Sequence, residues 1–102
     1  MAFTNTSGRY ASFGIASELP GQIIDSFWYI IDNNLKGVFV LEPIINFELI
    51  NNDGYLTILF SQEGSYDKIA FDFDFPYDKN WPKVVHVVDR MGRETVILPS
   101  EM

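Results

Sequence analysis

The chain has 102 residues, with 14 acids against 7 bases and a net charge of −7. That length supports a single domain, residues 1–102, with a core large enough to need no cross-links, and 47% hydrophobic and 16% aromatic residues set it apart from disordered chains. Without cysteine it can have no disulfide, thiolate metal site or cysteine nucleophile, which suits a reducing cytoplasm, and its acidic balance argues against direct binding to nucleic acid or an anionic membrane.

Residues 1–8, MAFTNTSG, are expected to fray, and the start lacks the basic and apolar runs of a signal peptide. RYASFGI, residues 9–15, alternates Tyr10, Ser12 and Gly14 against Ala11, Phe13 and Ile15 and predicts a first strand. SELPGQIIDSFWYIIDNN, residues 17–34, predicts a helix, with Pro20 suited to its first turn. Leu19, Ile23, Ile24, Phe27, Trp28, Ile30, Ile31 and Leu35 follow helical spacing. Gln22, Asp25, Ser26, Tyr29, Asp32 and Asn33 fall opposite, and Asn33, Asn34 and Gly37 end the helix.

Strand signals follow. VFVLEPIINFELI, residues 38–50, is β-rich but holds Pro43, which belongs at an edge or bulge. NNDG at 51–54 is a hairpin turn leading into YLTILFSQ at 55–62. KIAFDFDF at 68–75 and KVVHVVD at 83–89 come next, and a turn from Arg90 to Arg93 containing Gly92 leads to ETVIL at 94–98. The fold class is α+β, one amphipathic helix packed on a mostly antiparallel sheet of five or six strands. No uncharged apolar stretch approaches the ~20 residues that span a bilayer, and we expect a cytoplasmic protein.

FDFDF, residues 71–75, puts its rings on one face and Asp72 and Asp74 on the other, about 6.6–6.8 Å apart along the strand. That spacing approaches that of paired glycosidase carboxylates, but nothing else builds a sugar cleft. Joined by Asp78 the pair could form an oxygen site, yet no calcium-loop spacing exists. The aspartates serve equally as a negative edge against strand-to-strand aggregation or as part of an acidic face toward a basic partner. His86, in VVHVV, is the sole histidine and reads as a core or edge histidine satisfied by a hydrogen bond. A lone histidine without cysteine makes no zinc site. There is no nucleophile elbow, phosphate loop or dinucleotide fingerprint. We therefore assign no catalytic residue, metal or cofactor and expect a non-enzyme.

Trp81 before Pro82, with Tyr77 and Phe75 upstream, makes the aromatic loop FPYDKNWP, either a cap on the core or a set of binding anchors. Tyr66, in GSYDK, is placed with that patch. Asp72, Asp74, Asp78, Tyr77, Trp81 and Tyr66 together form the candidate partner surface, with carboxylates steering a basic or DNA-binding protein and rings holding it. An exposed sheet edge and surplus rings also allow a homodimer.

The order of RY, GI, ELP, an aromatic helix with FW and ID, then FEL, SQE, VVD and LPSEM resembles the small bacterial domain-of-unknown-function family numbered 960. The matching residues are Arg9, Tyr10, Gly14, Ile15, Pro20, Trp28, Asp32, Phe47, Gln62, Glu63, Val88, Asp89, Leu98, Pro99 and Glu101. The resemblance covers nearly the whole chain and implies a Gram-positive setting, often on phages and mobile cassettes, with no assigned activity. Phe13 departs from a basic preference and Gly64 from a usual proline. Gln62, Glu63 and Asp89 end strands, where they either bond turn backbone, or pair with Arg9, Arg90 or Arg93, or share a polar site. The expected function is a non-enzymatic protein-interaction accessory factor of a mobile element or phage; the alternative is a DNA mimic that inhibits a host or element DNA-binding enzyme.

Overall fold

Six strands form one sheet in the computed structural model, which describes residues 2–102. They are β1 (Gly8–Ala11), β2 (Ile44–Asn52), β3 (Tyr55–Ser61), β4 (Lys68–Pro76), β5 (Val84–Arg90) and β6 (Arg93–Ile97). Their order is β1-β6-β5-β2-β3-β4, antiparallel throughout except for the parallel pair β1 and β6. Two helices, α1 (Phe13–Glu18) and α2 (Gly21–Ile30), precede β2; α2 runs on as a π-helical turn, Ile31–Leu35, and a 3-10 turn, Pro99–Glu101, ends the chain. The α+β class stands, with the sheet at six strands.

Four expectations change, the first being that the strand expected from Val38 begins only at Ile44. The first strand stops at Ala11, because Ser12 caps α1 by accepting a hydrogen bond from the Ile15 amide at 3.2 Å. The single helix becomes two segments. Leu19 precedes a proline and is driven to extended backbone, with φ −119° and ψ 139°, so α1 ends there and Pro20 becomes the residue before α2 rather than part of its first turn. The terminal segment, among its described residues, does not fray. Phe3 is fully buried, its amide donates to Asp89 Oδ2 at 2.7 Å, and the Ala2 amide donates to the Leu41 carbonyl.

The core lies between α2 and one face of the sheet. Ile23, Phe27, Ile30, Ile31 and Leu35 bury the predicted helical stripe. Against it stand Ile45, Phe47 and Leu49 of β2, Leu56, Ile58 and Phe60 of β3, and Val85 and Val87 of β5. Phe47 stacks on Phe27 at 5.2 Å and meets Phe60 at 6.2 Å. Pro43 stands just before β2, so its missing N–H costs the ladder nothing, while its carbonyl accepts from the Asp89 amide at 2.8 Å.

Both hairpin turns have two residues with positive φ, Asp53 and Gly54 (51° and 92°) and Met91 and Gly92 (53° and 92°), which match the right-handed twist of the strands they join. A Cβ on Gly54 meets nothing, whereas one on Gly92 overlaps the Asn5 carbonyl oxygen. Gly54→Ala is expected to cost about 1–3 kcal/mol from backbone strain alone. Gly92→Ala is expected to cost more, measured by urea unfolding. Equal losses would show that the terminal segment is not held against this turn.

Candidate functional site

The end of β4, the loop after it and the start of α2 enclose an open cleft of about 530 Å³. Phe75, Pro76, Tyr77, Asp78, Lys79 and Trp81 form one wall, and Pro20, Gln22 and Ile23 the other. Local chemistry sets the aromatic wall. The Tyr77 amide donates to the Gly54 carbonyl at 2.8 Å, tying the strand end to the β2–β3 hairpin. Asp78 Oδ1 accepts from the Asn80 amide at 2.8 Å and its carbonyl accepts from the Trp81 amide at 3.1 Å, a turn that brings Trp81 back beside Tyr77. The two rings meet edge to face, 6.0 Å apart and 74° between planes. Both stay half-buried and pack on the core, so the rings cap the core and line the cleft at once.

Asp78, Tyr77 and Trp81 are thus brought together. Asp72 and Asp74 lie on the opposite face of β4, exposed, with Asp72 Oδ1 accepting from the Thr57 hydroxyl at 2.6 Å. Tyr66 does not join this patch. It is fully exposed in the β3–β4 loop, at the other end of a strand roughly 30 Å long. Pro20, Gln22 and Ile23 were not candidates, because nothing local in ELPGQII marks it as facing a loop nearly sixty residues later.

The other polar residues singled out serve the fold. Gln62 accepts from the Glu42 amide at 2.7 Å and donates to the Val40 carbonyl at 3.1 Å. Asp89 receives the amides of Phe3 and Gly92, while Glu63 is exposed, so these strand ends form no shared site. Glu101 receives the Ser12 hydroxyl and the amides of Leu98 and Gly14, bonds that hold its carboxyl below the usual range, the Ser12 bond foremost. His86, on the sheet face away from the helices, donates from Nδ1 to Asn46 Oδ1 at 2.5 Å, the satisfied histidine expected.

Arg9 anchors one polar network. It forks onto Asp32 at 2.7 and 2.5 Å and donates from Nε to Glu94 Oε1 at 3.0 Å, while its guanidinium lies 5.0 Å from the Trp28 ring centre. Glu94 is fully buried, and its second oxygen accepts from the Thr6 hydroxyl at 2.6 Å. Lys36 adds a contact of 3.2 Å to Asp32. The Arg9 hydrogen bonds, more than those from Lys36, lower the Asp32 carboxyl to about 2. Among the described residues no cluster of three or more histidine, aspartate or glutamate side chains could hold a metal ion, and no helix is long and apolar enough to cross a membrane.

The chain resembles a solved protein of unknown function from Enterococcus faecalis, at 47% identity and a TM-score of 0.91, over 93% of this chain and 90% of that one. No curated protein matches it. Residues 8–101 match a family model across both walls of the cleft and the Arg9 network, and the chain belongs to that family, described as Staphylococcal protein of unknown function (DUF960).

Proposed function

We propose that the protein is a protein-interaction module that holds its partner by the cleft under Tyr77 and Trp81, where Asp78 stands beside Lys79, with the net charge of −7 steering a basic surface toward the protein as a whole. The observation that carries this reading is the cleft itself, where Phe75, Tyr77 and Trp81 leave apolar area open beside Asp78. Large aromatic rings in a preformed hollow are the residue type that dominates binding energy at interfaces. Fixed anchors also lose little conformational freedom on binding. The accessory role in a mobile element or phage rests on the family resemblance alone, and the partner's identity decides it.

The test is capture from a lysate of the source organism with the wild-type chain and with Trp81→Ala, eluted in steps of salt and repeated with excess duplex DNA. Trp81→Ala is expected to weaken capture of a specific partner by about 30-fold, the effect of a 2 kcal/mol anchor. A folded Trp81→Ala variant that captures the same protein equally well would remove the cleft from the interaction. Displacement of the partner by DNA would assign the acidic surface to imitation of a phosphate backbone.

A further inference from the structure

The sheet ends at β4, one of its two longest strands at nine residues. An edge strand directs the N–H and C=O groups of alternate residues away from its one neighbour. Among the described residues, no backbone outside the sheet bonds to the free side of β4 between Lys68 and Asp72. That stretch is also the regular part of the strand. Its register against β3 runs unbroken from Lys68 opposite Ser61 to Asp72 opposite Thr57, and beyond Asp72 β4 carries extra residues and bulges away.

The two faces of Lys68–Asp72 differ. Lys68, Ala70 and Asp72 point away from the helices, and all three are exposed. Ile69 and Phe71 point to the helix side, opposite the buried Phe60 and Ile58 of β3. Ile69 is nevertheless 37% exposed and Phe71 only half-buried, because neither has a neighbour on the free edge. Among the described residues, neither Lys68 nor Asp72 has an ion pair within its own chain.

We propose that β4 is the interface of a homodimer, in which Lys68–Asp72 pairs antiparallel with the same stretch of a second copy about a two-fold axis at Ala70. The pattern of side chains selects this occupant. A two-fold axis at Ala70 sets residue 68 opposite 72, 69 opposite 71 and 70 opposite itself. Lys68 of each copy then meets Asp72 of the other, and Ile69 of each meets Phe71 of the other. Opposite charges and aromatic–β-branched pairs directly across a ladder are both favourable. The small Ala70 side chains meet on the axis. Other registers lose this match. An axis at Ile69 sets Lys68 against Ala70 and leaves Asp72 unpaired, and an axis at Phe71 reaches Asp74, in the bulged stretch. A parallel, in-register pair sets Lys68 against Lys68. In the antiparallel dimer the axis stands normal to the sheet, so the two six-stranded sheets join into one with the helices of both copies on the same side. The bulge after Asp72 ends the pairing, and the contact is isologous, so it closes at two copies. The cleft wall begins at Phe75, beyond the paired stretch, so the dimer leaves both clefts open and does not rest on the reading of them.

So short a strand pair makes a small interface, and self-association is expected at high micromolar protein. Sedimentation equilibrium reads it, as does amide exchange of residues 68–72, which is expected to slow as protein concentration rises. Two charge reversals test the register. Lys68→Asp sets carboxylate against carboxylate at both former pairs, and Asp72→Lys sets ammonium against ammonium. Each alone is expected to weaken dimerisation by about tenfold or more, since two cross-strand pairs reverse at once. Mixed in equal amounts, the two variants regain both opposite-charge pairs, and the mixed dimer is expected within about threefold of wild type. Misfolded chains could not recover on mixing. A wild-type chain that stays monomeric at millimolar concentration overturns the proposal and leaves the edge to a foreign strand. So does a dimer that ignores both reversals, or one that each reversal weakens and the mixture fails to restore.

Discussion

Arg9→Ala is expected to destabilise the protein by about 3 kcal/mol, because it strands a fully buried carboxylate. Glu94 accepts from Arg9 and Thr6, and of these two Arg9 carries the positive charge. Asp32 adds less, since its side chain is 40% exposed and water screens it. Urea unfolding checks the loss. The double variant Arg9→Ala with Glu94→Gln should recover part of it, because the buried charge goes with its partner. Acid titration gives a second readout. The Asp32 carboxyl is lowered from 3.8 to about 2 in the folded protein, so its contribution is complete above about pH 4 and fades as pH falls toward 2. In Arg9→Ala that acid limb flattens. Full stability in the single variant would show that Glu94 is not confined as described.

Phe47→Ala is expected to cost about 3–5 kcal/mol, by lost burial and by the cavity left behind. Phe47 stands on β2 in the middle of the sheet, stacked on Phe27 of α2 and tilted against Phe60 of β3. Removing its ring therefore opens a gap shared by a helix and two strands, and none can close in without breaking the ladder register. For a domain of this size the melting temperature should fall by at least about 12 °C. Phe47→Leu keeps most of the volume and should cost well under half as much. Similar melting of the two variants would mean that the core collapses around the gap.

Period and turn chemistry made much of this fold legible. FDFDF alternates so cleanly that β4 and its two faces follow from it. NNDG and MG mark their turns because few other residues accept positive φ in succession. The helix stripe from Ile23 to Leu35 was legible for the same reason. What escaped was set by contacts at long range. Ser12 sits inside an alternating run, and a six-residue helix forms there only because Glu101, at the far end of the chain, binds both Ser12 and the Gly14 amide. Glu94 shares a strand face with Val96, and nothing local in ETVIL marks Arg9 and Thr6 as the groups that meet it inside. At the cleft, the aromatic wall was visible as FPYDKNWP, while the wall from α2 was not, because packing alone brings it there. Tyr66 went astray although its place before Lys68, where β4 begins, sets it a whole strand length from Tyr77.

The parallel pair of β1 and β6 has a consequence for how the chain reaches this state. Every other neighbouring strand pair except β5 with β2 is a hairpin or short connection, but β1 finds its partner across almost the full length, and the Phe3–Asp89 bond spans 86 residues. Closing so long a loop must be met by ordering entropy before any contact rewards it. A chain leaving the ribosome holds β1 and Phe3 unpaired until β6 follows them out. Within this domain the segment made earlier is therefore placed only after β6, and the core stays open on that side until β6 has been made.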